Sequence, residues 1–355
     1  MLFDIERMLR LFGRDSSRSA CLAATLGVLF QIFATRSESA NRELNWLLSR
    51  VFRAFELDQI RIYFDRYGRY CGHGIWTCIP EELERRMLEI GAQEWPAEDF
   101  HAGGNVWVLH FNALYGSLLD VLPDLFRHLP GGVESVSYFR YKRGRVSCKR
   151  ASRKDLRTLD RPQTDADPST DAEWLVLGEE SEEFRSNARA LLESAIHVGM
   201  AAMLLGQLPQ YSALPLAALF TRIRNPIQRR QYRLYISSTG APIAFYTWAW
   251  MDSDVLRRHG SRPVYALELA EWNEGSELFL CDAVATAQGA NLVLEDLRGK
   301  WYSGERLFVY PCCGADRGQR LRVFEENRRG GLLAERKEPA GGARDVARAI
   351  LSAKA

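Results

Sequence analysis

A chain of 355 residues with 46% hydrophobic content is long enough for about two domains with ordinary buried cores. Lys and Arg number 47 against 45 Asp and Glu, so whole-chain charge excludes neither acidic nor basic partners, and any charge-driven partner must be argued from local patches. The seven cysteines, at 21, 71, 78, 148, 281, 312 and 313, form no CxxC pair, which argues against a disulfide framework and for a reducing cytoplasm.

Along the chain, Asp4 and Glu6 put acids where a signal peptide would carry bases. The most apolar run, 20–34, is shorter than the about 20 residues that span a bilayer and contains Gln31, so it reads as a buried helix. A second helix is expected at about 40–57. A strand pair, QIRIYFDRYGRYCGHGIW, follows; Cys71, His73 and Cys78 within it lack the spacing of a metal site, and no metal is expected. Next come a short helix (Pro80–Ile90), a strand ending at His110, a helix (about 117–128) and a strand (133–141). Arg140–Lys154 carries eight bases and no acid, and Asp165–Glu183 eight acids and no base. The acidic block, with Pro162 before it and Pro168 inside it, reads as a solvated linker. The two blocks either shield each other or leave the basic one to a partner.

The same order then returns: helices at 186–206 and 213–229, and a hairpin of Tyr232–Ile236, a Ser-Ser-Thr-Gly turn and Ile243–Trp250. A short helix (Asp252–His259), a strand ending at Asp282, a helix (290–300) and a strand (305–311) follow. After Gly331 the tail reads as a peripheral helix. Gln59, Arg61, Tyr63, Gly68 and Trp76 recur as Gln231, Arg233, Tyr235, Gly240 and Trp248, each 172 residues on. The same offset joins Gly27 to Gly199, Arg50 to Arg222 and Tyr138 to Tyr310, so a duplicated domain is expected. The fold class is then α/β, two tandem GNAT-like mixed α/β domains at 1–160 and 186–335, with a linker at 161–185 and a tail at 336–355.

The second copy resembles the RTX-toxin-activating lysine acyltransferases. The resemblance rests on Pro226-Ile227, Gln231-Tyr232, Pro242, Tyr246, Trp248-Ala249, Trp272, Gly275 and the strand LFLCDAVA. The first copy is similar at a greater distance, through Leu26-Gly27, Gln59, Trp76, Glu94-Trp95 and WVLHFNALYG. The resemblance implies transfer of a fatty acyl group from acyl carrier protein, through its phosphopantetheine thioester, to a lysine of a protein, with no tightly bound cofactor. It puts Asp282 at the family's catalytic aspartate. The family's histidine, in an S-P-x-H context, is replaced by Ser39 in copy one and by Tyr211 or Ser212 in copy two, and His110 takes the aspartate's place in copy one.

The chemistry these residues offer follows from acyl transfer itself, which needs a deprotonated acceptor, a positioned carbonyl and oxyanion donors. Asp282 is the candidate base; the local sequence equally allows it to cap a turn or pair with an arginine. His110, His197 or His259 could complete the site. Gln288, Gly289, Ala290 and Asn291 open a helix whose backbone N–H groups could meet a phosphate. Arg222, Arg224, Arg229, Arg230 and Arg233 fall within thirteen residues without an acid. With Arg140, Lys142, Arg143 and Arg145 they form either a solvated face or a surface for acyl carrier protein or RNA. Tyr138, Phe139, Tyr141 and Tyr232, interleaved with these bases, would suit stacking on RNA. Three functions are consistent with this reading: acyl transfer from a carrier protein to an amine or hydroxyl of a protein, peptide or small molecule; a tandem GNAT-like transferase using aminoacyl-tRNA; or a non-catalytic binding or assembly protein. A cytoplasmic protein without a membrane span is expected for each.

Overall fold

The structure, a computed structural model, describes residues 5–11, 17–65, 67–90, 103–114, 116–131, 133–142, 145–152, 182–255, 267–299, 307–309, 322–326 and 333–335. The chain divides into two compact units. The first is Met1–Thr25 with Ser49–Glu193, and the second Leu26–Leu48 with Ser194–Ala355.

The helices preceding the first sheet are α1 (Ile5–Leu11), α2 (Arg18–Thr35) and α3 (Leu44–Glu56). Then come β1 (Ile60–Phe64), β2 (Tyr70–Ile79), α4 (Glu81–Ile90), β3 (Asn105–Ala113), α5 (Leu118–His128), β4 (Ser135–Lys142) and β5 (Arg145–Ser152). The strands form one sheet in the order β1-β2-β3-β4-β5, antiparallel except for the parallel pair β3/β4. Alternation on β3 sorts its side chains. Val106 and Val108 pack with Trp76 and Val136 against Leu125, Phe126 and Leu129 of the α5 region, while Trp107 packs with Ile79 and Phe139 against Met87 of α4. Each such side chain removed from water contributes roughly 1.5–3 kcal/mol.

The second unit contains α7 (Pro209–Ser212), α8 (Leu216–Arg229), β6 (Tyr232–Ile236), β7 (Pro242–Met251), β8 (Glu277–Ala285), α9 (Gly289–Gly299), β9 (Leu307–Val309), β10 (Arg322–Glu326) and β11 (Leu333–Glu335). Helix α6 (Glu182–Leu205) straddles the boundary at Glu193, as α2 does at Thr25. The sheet order is β11-β10-β9-β8-β7-β6, with β8/β9 the parallel pair. One face, Ala244, Tyr246, Trp248, Leu278 and Leu280, packs on Ala290, Val293 and Leu297 of α9. The other buries Ala249, Met251, Phe279 and Cys281 with Val255, Leu267 and Trp272. The segment 26–48 is stitched to α8's start by Leu44 N–H to the Leu214 carbonyl (3.1 Å) and Leu216 N–H to the Arg42 carbonyl (2.8 Å), and by an edge-to-face contact of Phe30 with Phe220.

Strands β1, β2 and β3 begin at residues 60, 70 and 105, and β6, β7 and β8 at 232, 242 and 277, each 172 later. Asp58 and Arg230, the residues in left-handed conformation after α3 and α8, stand at φ 54° and 56°.

Several expectations change. The strands do not end at His110 and Asp282 but run on to Ala113 and Ala285. The basic block after Arg140 contains a strand pair: β4 and β5 run through it, Arg140 opposite Ser147 and Lys142 opposite Arg145. Residues 333–335 of the tail form a strand, and 336–355, the acidic stretch 165–181, Glu94-Trp95, Arg143, His259 and Tyr310 lie outside the described residues. Two helical stretches, Arg18–Thr35 and Ser186–Leu205, are long and apolar enough to cross a membrane, yet 61% and 56% of them is buried within the protein.

Candidate functional site

Asp282 reaches its place through an irregularity in β8. Opposite β7, Thr247 pairs with Asp282 and Trp248 with Leu280, leaving Cys281 as an extra residue. Such a bulge shifts the alternation by one position. Leu278 and Leu280 face α9, as do Ala283 and Ala285 beyond the bulge, so Asp282 is turned to the opposite face. The amide freed by the bulge is not stranded: Asp282 N–H donates to Thr247 Oγ1 at 3.2 Å.

On that face Asp282 meets two donors. The Tyr211 hydroxyl donates to its Oδ1 at 2.6 Å, and Arg222 Nη2 to the same oxygen at 2.7 Å. The guanidinium also lies over the Tyr211 ring, 5.4 Å from its centroid. Exposure of the Asp282 and Arg222 side chains is 2% and 10%, and Tyr211 is 2% exposed. A carboxylate this deep needs charge compensation and hydrogen bonds together, and it has both. Pro209 starts the single turn of α7 that carries Tyr211. Arg222 comes from α8, whose buried stripe is Leu216, Leu219, Phe220, Ile223 and Ile227.

Tyr232, Thr247 and Asp282 form one lateral row across β6, β7 and β8. At its far end the Tyr232 hydroxyl and His197 Nδ1 of α6 share a hydrogen bond at 2.8 Å.

The structure therefore brings Tyr211 and Asp282 together, while Ser212 turns away and donates to the Pro209 carbonyl at 3.2 Å. Ser39, the copy-one counterpart, is buried and donates to the Phe33 carbonyl. Of the arginine belt, Arg222 is not on the surface but bonded to Asp282. Arg224, Arg229 and Arg230 are exposed, Arg229 donating to the Leu269 carbonyl. Arg233 lies near Asp296, Nε to Oδ2 3.6 Å. Arg140 is exposed on β4. The helix opening at Gln288, Gly289, Ala290 and Asn291 differs from expectation: the Gly289 and Ala290 N–H groups both donate to the Thr286 carbonyl at 3.0 Å, so these two do not offer a phosphate cradle. Gly289 stands against β7, where a Cβ would lie 2.2 Å from the Ile243 carbonyl oxygen. His110 belongs to the first unit. Arg222 is expected from sequence in the partner-binding belt and not beside Asp282, although its spacing, three after Leu219 and one before Ile223, sets it on the margin of the apolar stripe.

Several residues that carry the resemblance are scaffold. Gln231 Nε2 donates to the Trp272 carbonyl at 2.9 Å, and Gln231 N–H to that of Pro226 at 2.8 Å. Gly275 approaches Met251 so closely that a Cβ would come within 2.0 Å of its carbonyl.

Comparison with known proteins bears on the second half of the chain. A sequence model of the RTX toxin acyltransferase family, HlyC, matches residues 192–325. The lysine-acyltransferase RtxC of Vibrio cholerae serotype O1 is 29% identical over 82 residues, which are 23% of this chain and 53% of that protein. The chain thus spans about half the length of that relative. Tyr211, Arg222 and Asp282 all lie inside the matched segment, and over residues 192–325 the chain is similar to the RTX toxin acyltransferase family.

Proposed function

We propose that the protein transfers an acyl group from an acyl carrier protein thioester to an amine or hydroxyl of a protein acceptor in the cytoplasm. The observation carrying this is the 2.6 Å bond between Tyr211 and Asp282 inside the family segment. In the reaction the acceptor attacks the thioester carbonyl, the C–S bond breaks, the pantetheine thiol leaves and the acceptor loses a proton. Because Asp282 is buried and shared with Arg222, its part as base runs through the Tyr211 hydroxyl rather than by contact with the acceptor. Arg224, Arg229 and Arg230, exposed near the end of α8, suit an acidic carrier. We also read the two sheets as tandem copies of one GNAT-like fold; the constant spacing of 172 between β1–β3 and β6–β8 supports it.

A second reading is a family member that binds without catalysis. It is favoured by one feature: Tyr211 and Arg222 already occupy the carboxylate oxygen. Incubating the full chain with acyl-loaded carrier protein and cell lysate, and reading acyl mass shifts on acceptor proteins, separates the two. Transfer should fall roughly a hundredfold or more in Tyr211→Phe and Asp282→Asn if they act on the reacting proton. Carrier binding without transfer supports the second reading, and absence of both sinks the two together.

A further inference from the structure

The first unit holds a cavity of about 360 Å³, between α1, the first half of α2, the end of α3 and β1. It lies outside the segment matched by the family model.

One wall is the free edge of a sheet, since β1 is the outermost strand. The Trp76 N–H donates to the Gln59 carbonyl at 3.0 Å, and the register beyond pairs Ile60 with Ile75, Arg61 with Gly74 and Ile62 with His73. Bonded and non-bonded pairs alternate along an antiparallel ladder. Gln59 and Arg61 therefore turn main-chain groups to β2, while Ile60 and Ile62 turn theirs to the free edge. Both isoleucines line the cavity, 6% and 3% exposed, and neither bonds through its N–H or C=O to another described residue. Buried main-chain groups nearly always find partners. Two N–H and two C=O groups, spaced i and i+2 along a cavity wall, form an edge suited to a further extended chain. Thr25 of α2, itself buried, adds a hydroxyl to the opposite wall.

The charges around the cavity are not balanced. Glu6 and Glu56 are held by Arg10 and Arg53, each at 3.2 Å and each outside the lining. Arg61 reaches only Asp58, at 3.5 Å on a side chain that is 78% exposed, and its Nε has no partner among the described residues. Arg18 Nη2 donates to the Glu56 carbonyl at 3.1 Å, with the guanidinium 5.8 Å from the centroid of the Phe55 ring, and meets no carboxylate among the described residues. Two guanidinium groups against one distant acid call for an anion, and the planar fork of arginine matches a carboxylate. Ile5 and Phe55 supply the apolar side of the lining. At about 360 Å³ the cavity is near the lower bound of small-ligand sites, so it holds the end of a chain rather than a segment passing through.

We propose that this cavity captures the free C-terminal end of an extended peptide. The peptide main chain adds as a strand to the edge of β1 through Ile60 and Ile62. Its terminal carboxylate is taken by Arg18 and Arg61, and its last side chain, an apolar one, packs on Ile5 and Phe55. The peptide is bound and not altered.

The test titrates the full chain with a pool of N-terminally labelled pentapeptides that end in Leu, Ile, Val or Phe with a free carboxylate, read by fluorescence anisotropy. Saturable binding is expected. It should weaken about tenfold or more when the pool is C-terminally amidated, and likewise in Arg18→Gln and Arg61→Gln, whose melting midpoints are measured in parallel. In the unaltered protein, hydrogen exchange at the Ile60 and Ile62 amides should slow on peptide addition, while the ladder-bonded Arg61 amide stays as it was. Octanoate is the contrasting probe, carrying a carboxylate and an apolar body without main-chain groups, and it should leave the exchange of both isoleucine amides unchanged. No binding of the pool at millimolar concentration, equal binding of acid and amide, or protection of the two amides by octanoate overturns the proposal. The exchange and acid-against-amide measurements need no variant and stand even where a substitution unfolds the chain.

Discussion

Removing Arg222 would strand a carboxylate that is 2% exposed. Arg222→Met should therefore lower unfolding stability by about 3–5 kcal/mol in urea titration, whereas the double change Arg222→Met with Asp282→Leu should recover most of it, because no buried charge is left uncompensated. Tyr211→Phe loses one donor to Asp282 and should cost about 1–3 kcal/mol. Tyr235 gives a separate alkaline signature. Its hydroxyl donates to Asp296 Oδ2 at 2.6 Å, and burial first, with that hydrogen bond second, raises its pKa well above the ordinary 10.0. The unfolded chain then ionises Tyr235 before the folded one, so this contribution is present below pH 10 and declines as pH rises beyond it. Urea midpoints taken from pH 8 to 11 should fall, and fall less steeply in Tyr235→Phe. Sequence singled out both Asp282 and Tyr211, whose side chains the structure joins by a hydrogen bond, and named an arginine as one possible partner for the aspartate. It assigned Arg222 to the surface, because a run of five arginines was weighed as a patch rather than each against the helix stripe.

Helices and hairpins were legible to within a few residues, since apolar spacing at 216, 219, 220, 223 and 227 and alternation along β7 declare themselves. The bulges at Leu109 and Cys281 were not. Each adds one residue to an otherwise regular alternation, and only the partner strand reveals which residue is extra. Strand β5 was hidden for another reason: Val146–Arg150 is exposed and Arg145, Lys149 and Arg150 are basic, so the strand has little apolar alternation to read. The crossing of α2 on α6 depends on Gly27, where a Cβ would lie 1.8 Å from the Ala195 carbonyl oxygen. Gly27→Ala should cost about 1–3 kcal/mol through forced displacement of the helices, read as a lowered thermal midpoint; an unchanged midpoint would mean the crossing yields freely.

For the molecule as a whole, the sequence suggested domains that follow one another, whereas the compact units interleave. The second takes Leu26–Leu48 from the other end of the chain. A fragment spanning 182–355 would lack Arg42 and Ala40, whose carbonyls receive the Leu216 and Ala217 amides, and Phe30, which meets Phe220. Expressed alone it should be insoluble or fail to give a cooperative melt, and a separately supplied peptide of residues 18–56 should restore solubility. A fragment that melts cooperatively by itself would refute this dependence. Composition could not announce the arrangement, because it is a matter of which helix halves meet and not of what they are made of.

That interleaving also bears on synthesis. Leu26–Leu48 leaves the ribosome long before α8, and at roughly 5–20 residues per second the apolar run around Leu29, Phe30 and Phe33 waits on the order of ten to thirty seconds for its cover. Translation speed and chaperone supply, rather than final stability, then decide how much of the nascent chain reaches the folded state.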